Sequence, residues 1–407
     1  MSRILLAWEL GSNLGHLSRL LPIAVQLRER GHEVLVAVRD VGLATEILSA
    51  AGVPFVQAPR WGGASLDERR PSGYAEVLLL QGWENSTWLW GAVQAWGNIL
   101  RLFRASAVVV DYSPAALLTA RVMGVPRAVL GTGFELPPLE APFPLFPGAL
   151  STSTSQDGVA ETRVLASANE VLQAYGARRL EALRDLFQTE GRWLTTFAEL
   201  DQYGARAQET YVGPIGSLDR AQSTAWPKGF AHRVLAYLRP NTPAMAEILR
   251  VLASRSDTAV ICAVPGLSLE SLSPVTRDGF RLFSHPVNFA PLLAKASLFV
   301  SYGPAASVTQ SLLKGVPQLL APTHIEAQMT ALRVLAMGAG LMLGSDSTEE
   351  VISGALDRLL SDSRFKVRAS EFAARYREFE SAQAVDRMVT DIEALAAGAQ
   401  HKRASAG

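Results

Sequence analysis

Two residues stand where catalysis is most easily built. Gly15-His16 follows the first apolar run of the chain, Ile4–Trp8, and Asp111 closes a later one, Val108–Val110. An unperturbed imidazole titrates at about 6.5, which makes it the natural general base at neutral pH. A carboxylate on one ring nitrogen fixes the tautomer and stabilises the imidazolium. His16 and Asp111 are therefore candidates for a base dyad. The same residues also read, without any chemistry, as a helix start and a helix cap.

Three further groups follow. Ser301-Tyr302-Gly303-Pro304-Ala305-Ala306-Ser307 lies at a strand-to-helix turn. Small residues let a ligand approach the backbone, and the N–H groups of Ala305, Ala306 and Ser307 open a helix whose dipole favours a phosphate. An ordinary tight turn has the same composition. In Pro322-Thr323-His324-Ile325-Glu326-Ala327-Gln328, Glu326 could accept hydrogen bonds from a polyhydroxylated ligand and Gln328 could donate and accept. A glutamate in the first turn of a helix needs no ligand, however. The third group is aromatic. Trp83, Trp88, Trp90 and Trp96 crowd one segment, mostly as core. Trp83, Phe134, Phe143 and Phe146 are the candidates for an apolar ligand pocket, the last two in the Pro-rich stretch 141–147. No metal site is expected. Asp40 has no second carboxylate at chelating spacing, no two histidines fall at i, i+4, and there is no Walker or GxGxxG loop.

The elements that must position these groups read as repeated strand–helix alternation. Ile4–Trp8 is a buried strand, residues 9–16 a Gly/Ser/Asn loop, and a helix runs from there to about Glu29. Pro22 is expected near its first turn and Gly31 at its end. Glu33–Val38 is the second strand. Val108–Val110, a helix over Ala115–Met123, and Val125–Leu130 continue the pattern. Residues 76–105 look helical, 135–157 form a long loop, and Arg192–Thr196 and Thr210–Val212 are short strands. The pattern restarts after residue 232 with strands at Val234–Leu238, Thr258–Ala263, Leu298–Tyr302 and Gln318–Ala321, and residues 364–396 are helical. Such alternation implies parallel sheets with right-handed crossovers. The expected fold class is α/β, with two doubly wound domains facing a cleft: residues 1–213 and 233–375, joined by a linker at 214–232.

Composition bounds the function. The chain has 407 residues, which suits two domains of about 200 residues each. Hydrophobic residues make up 48% and charged residues 19%, the balance of a packed chain. Lys+Arg 38 against Asp+Glu 38 argues against a nucleic-acid binder and a polybasic membrane anchor. The single cysteine, Cys262, excludes an intramolecular disulfide and a thiolate cluster. No signal peptide is visible, and the longest uncharged run, Ala296–Leu313, is too polar for a membrane span. A cytoplasmic protein is expected.

The whole resembles the family-1, GT-B-fold nucleotide-sugar glycosyltransferases of bacterial natural-product pathways. Four stretches carry the likeness: Gly15-His16 with Pro22 and Arg30-Gly31-His32-Glu33-Val34; Val109-Val110-Asp111 with Gly124-Val125-Pro126; Tyr211-Val212-Gly213-Pro214; and residues 285–341 with Gly315-Val316-Pro317, Pro322, Ala331 and Gly338-Ala339-Gly340. The resemblance implies a GT-B fold with an acceptor domain, a donor domain, and a C-terminal helix from residue 376 to 407 crossing back to the first domain. It implies inverting, metal-independent transfer, with His16 deprotonating an acceptor hydroxyl and Asp111 behind it. Donor-binding roles fall to Asn241, His285, Tyr302, Gly303, Ala305, Ala306, Ser307, Glu326 and Gln328, and acceptor contacts to Trp83, Phe134, Phe143 and Phe146. The implied partners are a nucleotide sugar, UDP- or dTDP-linked by default, a small partly apolar acceptor, and a second copy of the chain; no cofactor is implied. The chain departs from the family at Tyr302-Gly303-Pro304, where His-Gly-Gly is usual, at Glu326-Ala327, where an acid–Gln pair is usual, and at Pro286, where a base-stacking tryptophan is common. A GT-B-shaped binding protein without donor affinity is the alternative. A nucleotide-sugar epimerase is disfavoured, because no good pair of extra carboxylates is present.

Overall fold

The computed structural model describes residues 1–11, 14–61, 71–148, 157–216, 222–267 and 277–404. Residues 12–13 of the first loop, 149–156 of the long loop and 217–221 of the expected linker lie outside the described residues. The chain forms two compact units: Met1–Ala198 with Ala205–Ser217 and Glu380–Gly407, and Glu199–Gly204 with Leu218–Phe379.

The first unit contains β1 (Arg3–Trp8), α1 (Leu14–Glu29), β2 (Glu33–Val38), α2 (Val41–Leu48), β3 (Phe55–Gln57), α3 (Tyr74–Leu80), α4 (Ser86–Phe103), β4 (Ala107–Asp111), α5 (Pro114–Met123), β5 (Arg127–Gly131), α6 (Asp157–Ala174), β6 (Gly191–Leu194) and β7 (Thr210–Tyr211). The strands form one parallel sheet, in the order β3-β2-β1-β4-β5-β6-β7. Helices cover both faces of such a sheet, so its central strands read as unbroken apolar runs: Ile4–Trp8 and Ala107–Val110 are buried throughout. Each Ile, Leu and Val side chain among them contributes about 1.5–3 kcal/mol by leaving water. The strand order reverses between β1 and β4, where Trp8 lies opposite Asp111. Ligands of doubly wound sheets bind at that switch point, beyond the carboxyl ends of the strands.

The second unit contains β8 (His232–Tyr237), α7 (Met245–Ser254), β9 (Thr258–Ala263), β10 (Phe280–Phe283), α8 (Ala290–Leu293), β11 (Leu298–Ser301), α9 (Ala305–Leu313), β12 (Gln318–Leu320), α10 (Ile325–Ala336), β13 (Gly340–Met342), α11 (Glu349–Ser361) and α12 (Ser363–Arg375). Its parallel sheet runs β10-β9-β8-β11-β12-β13 and reverses between β8 and β11, where Tyr237 lies opposite Ser301. Glu199–Gly204 belongs here: Arg333 donates to the Glu199 carbonyl at 3.0 Å and Tyr376 to its carboxylate at 2.6 Å.

The last helix, α13 (Ser381–Ala404), lies on the first unit. Glu393 accepts from Arg30 at 2.7 Å and from His32 Nε2 at 2.8 Å, while His32 Nδ1 accepts from the Ser2 amide at 3.2 Å. The Arg30-Gly31-His32 motif thus clamps a helix that is some 360 residues away in sequence.

Three expectations are corrected. Helix α1 begins at Leu14, so His16 stands in its first turn and not in the preceding loop. Pro22 lies inside that helix. A proline there cannot donate to the carbonyl of residue 18. Gly216 (φ +85) packs against that carbonyl so closely that a β-carbon would overlap it. The stretch 76–105 is two helices, parted by a turn at Gly82 (φ +83), with Asn85 capping the second through the Trp88 amide at 2.9 Å. The short edge strands β3, β10 and β13 escaped the reading, because three or four residues carry too little periodicity to be seen.

Candidate active site

His16 and Asp111 meet at the switch point of the first sheet. His16 Nδ1 lies 2.9 Å from Asp111 Oδ1, and both side chains are buried. The imidazole is stacked between Trp8 (centroids 5.2 Å, 20°) and Tyr112 (6.0 Å, 19°). Trp8 is anchored by its indole N–H to the Leu10 carbonyl at 2.6 Å. Tyr112 takes φ +48, a left-handed conformation that costs an L-residue about 1–2 kcal/mol. That bend turns the chain from β4 into α5 and places the phenol ring over His16.

Arg19, one turn further along α1, donates from Nε to Asp111 Oδ2 at 3.0 Å and from Nη2 to Asp111 Oδ1 at 2.8 Å. The same Nη2 reaches Glu135 Oε1 at 2.6 Å, and the other Glu135 oxygen accepts from the Thr132 amide. An Nη2 group has two protons, and both are committed to carboxylates. Its 2.9 Å approach to His16 Nδ1 is therefore a contact, and Nδ1 carries its own proton toward Asp111. Nε2 is then the basic atom. It points at Gly11 (φ +77), where any β-carbon would overlap it.

Burial alone would push the Asp111 carboxyl up, but Arg19 and His16 outweigh it and hold the group below its ordinary value. Burial likewise opposes charge on Arg19, but Asp111 and Glu135 raise it. His16, Asp111 and Glu135 offer donor atoms within 4.8 Å of one another, the types a metal would use. The Arg19 guanidinium stands at 2.8 and 2.6 Å from the two carboxylates.

The second sheet brings Tyr302 to its own switch point. The Arg239 guanidinium, just beyond β8, lies 4.5 Å from the Tyr302 ring centroid, and Tyr237 packs on the same ring at 5.6 Å. Burial pushes the Tyr302 phenol up, so it stays a protonated donor. Gly303 (φ +86) runs beside α10, where a β-carbon would stand 3.0 Å from the Ala327 carbonyl. Pro304 is the N-cap of α9, with no side-chain cap on the helix. Its missing N–H therefore precedes the helix, and the amides of Ala305, Ala306 and Ser307 keep no intrahelical partner. Glu326 and Gln328 sit half-buried on α10. Two positions apart on a helix, they point about 160° away from each other, so one ligand cannot engage both from one side. Asn241 and His285 are exposed; His285 meets Gln222 through Nε2 and Phe283 edge-on at 5.5 Å.

The residues of the expected acceptor wall lie in the interior of the first unit. Trp83, Phe134, Phe143 and Phe146 are 0–6% exposed. Phe134 stacks on Phe146 at 5.0 Å and edges against Tyr112 at 6.0 Å, while Phe143 meets Tyr74 and Phe187, each at 5.8 Å. The three phenylalanines pack ring against ring, and Phe134 supports Tyr112.

Residues 247–395 match the family described as erythromycin biosynthesis protein CIII-like, C-terminal domain. The chain is 24% identical over 432 residues to 4'-demethylrebeccamycin synthase of Lentzea aerocolonigenes, covering 95% of this chain and 100% of that one. It is 27% identical over 246 residues to aklavinone 7-beta-L-rhodosaminyltransferase of Streptomyces galilaeus, a match over 52% of this chain and 54% of that relative. The fold is that of the spinosyn rhamnosyltransferase SpnG in complex with thymidine diphosphate, with TM-score 0.67 at 17% identity over 95% of this chain and 100% of that one. The chain is a glycosyltransferase with the GT-B fold, similar to those of the family-1, natural-product type.

Sequence reasoning about this glycosyltransferase missed Arg19, Glu135 and Arg239. Arg19 had a readable signal, since it lies three residues after His16 and so shares its helix face. Glu135 and Arg239 come from loops, and only the folded sheets deliver them. Glu9 was also missed. Buried at the N-terminus of α5, it accepts from the Ser113 hydroxyl at 3.0 Å and the Ala115 amide at 3.1 Å. Burial still pushes its carboxyl up to about 7.

Proposed function

We propose that this glycosyltransferase moves a sugar from a nucleoside diphosphate, thymidine or uridine diphosphate in the first instance, to a hydroxyl of a small, partly apolar natural product. Transfer inverts the anomeric centre and needs no metal. The hydroxyl proton goes to His16 Nε2, the oxygen forms the new bond to the anomeric carbon, and the bond to the diphosphate breaks on the opposite face. Asp111 holds the imidazole in the tautomer this requires and balances the imidazolium once it forms.

The observation that carries the reading is the His16 Nδ1–Asp111 contact at 2.9 Å, with the tautomer set by donor counting around Arg19. In the second unit the amides of α9 face the leaving diphosphate. Arg239 supplies the cation that the usual histidine, replaced here by Tyr302, would bring. Glu326 is the sugar-hydroxyl acceptor of the turn. Relatives named for aklavinone and 4'-demethylrebeccamycin, and the thymidine diphosphate complex of SpnG, support this choice of acceptor class and nucleotide.

Calorimetry with UDP, dTDP, GDP and their sugar conjugates tests donor binding, and donor consumption over an aglycone panel tests transfer. One nucleotide should bind, and His16→Ala should bind it equally while losing transfer. Transfer that survives in His16→Ala overturns the base assignment. No nucleotide binding at millimolar concentration returns the chain to the binding-protein alternative.

A further inference from the structure

We propose that Arg19 and Glu135 are a matched pair of positioning residues. Arg19 fixes the carboxylate of Asp111 against His16, and Glu135 cancels the charge that Arg19 thereby brings beside the imidazole. The proposal rests on the reading of His16 as the base.

Three of the side chains are buried and Arg19 nearly so: His16 is 5% exposed, Arg19 11%, Asp111 0% and Glu135 5%. Arg19 grips Asp111 at both oxygens, at 3.0 and 2.8 Å, and the oxygen it shares with His16 is Oδ1. A two-point hold on a carboxylate fixes its plane, which a single imidazole contact cannot do. The hold has a cost at the base. Arg19 Nη2 lies 2.9 Å from His16 Nδ1, and His16 also stands in the first turn of α1, where the helix dipole is positive. Both oppose an imidazolium. Asp111 alone would face two cations in a buried site on every turnover.

Glu135 removes the imbalance. Its Oε1 lies 2.6 Å from Arg19 and 3.7 Å from His16 Nδ1. With neutral imidazole the four groups sum to one negative charge; with imidazolium they sum to zero. Proton uptake therefore moves a buried cluster toward neutrality, the direction that burial favours. The other groups around the ring change this little. Trp8 and Tyr112 cover its faces. Glu9 is turned away to the start of α5. Arg39 donates to the Glu9 carbonyl at 3.0 Å.

The charge pattern makes an unusual prediction: opposite shifts in the single variants and cancellation in the double. The measurement is an NMR titration of the imidazole Cε1–H of His16 in the full chain, assigned by its loss in His16→Ala, so no substrate is needed. In Glu135→Gln the midpoint should fall by about one pH unit, because Arg19 is left unbalanced. In Arg19→Met it should rise by about as much, with two carboxylates facing the ring. Arg19→Met/Glu135→Gln should return to within a few tenths of a unit of the parent. Arg19→Lys keeps the charge and should leave the midpoint nearly in place while lowering kcat, because a lysine cannot hold Asp111 at two points. Single variants that titrate with the parent, or a double variant displaced like one single, overturn the proposal. Because the titration needs no turnover, its failure is distinct from survival of transfer in His16→Ala, which would instead remove the base reading itself.

Discussion

Gly11 shows how much a single missing atom can matter. Its φ of +77 suits glycine, and the space where its side chain would stand belongs to His16 Nε2. Gly11→Ala should therefore lower kcat/KM by about 100-fold or more, within the range a general base contributes, while leaving nucleotide affinity in the second unit unchanged. Calorimetry beside a transfer assay reads both. Glu9 makes a prediction about stability. A carboxyl raised to about 7 by burial binds its proton more tightly in the folded chain than in the unfolded one. Its contribution is then intact below the ordinary value of 4.5 and is lost as pH rises to about 7. The loss should reach about 3 kcal/mol above pH 7, from the size of that shift. Glu9→Gln keeps the acceptor for Ala115 and removes the charge. It should be more stable than the parent at pH 8 and lose that advantage by pH 5 in urea unfolding.

At the scale of elements, each sheet brings its candidate site residues together at its own reversal of strand order. In the first, β1 and β4 end beside each other, so α1 and the turn into α5 bring His16 and Asp111 together across 95 residues. In the second, β8 and β11 do the same for Arg239 and Tyr302. Arg239→Ala should weaken diphosphate binding by about 10- to 100-fold, the range of a lost charge-assisted hydrogen bond. Arg239→Lys should recover part of it, and the nucleoside alone should bind both variants as it binds the parent. An unchanged affinity for the diphosphate in Arg239→Ala would remove Arg239 from the donor site. The clamp of Arg30 and His32 on Glu393 belongs to this scale as well: the motif that resembles a family signature serves here to seat α13.

For the molecule as a whole, the second unit carries its own reporter. Cys262 lies in β9 with no exposure, and burial pushes its thiol up to about 12. It should react with a thiol reagent only when that unit opens. A nucleotide present at 100 times its dissociation constant stabilises the closed form by about 2.7 kcal/mol and should slow labelling about 100-fold. Labelling at an unchanged rate with saturating nucleotide would mean that the ligand does not bind the second unit.

Alternating apolar runs and glycine-closed helices were enough to read two parallel-sheet α/β halves, because strands buried on both faces leave an unbroken hydrophobic signature. The same pattern placed His16 and Asp111 at strand ends, where doubly wound sheets bind ligands. Composition could also dispose of disulfides and a thiolate cluster. What the sequence left open was settled by packing. Trp83, Phe134, Phe143 and Phe146 have the composition of a pocket wall, and the fold buries all four, the phenylalanines ring against ring. Pro22 reads as a helix start, yet the fold keeps it inside α1 with Gly216 against the carbonyl it leaves unserved. Glu135 and Arg239 lie in loops with no periodicity to mark them. Only the closing of each sheet brings a carboxylate to Arg19 and a cation to Tyr302, because proximity between residues so far apart in sequence is a property of the folded chain and not of local sequence.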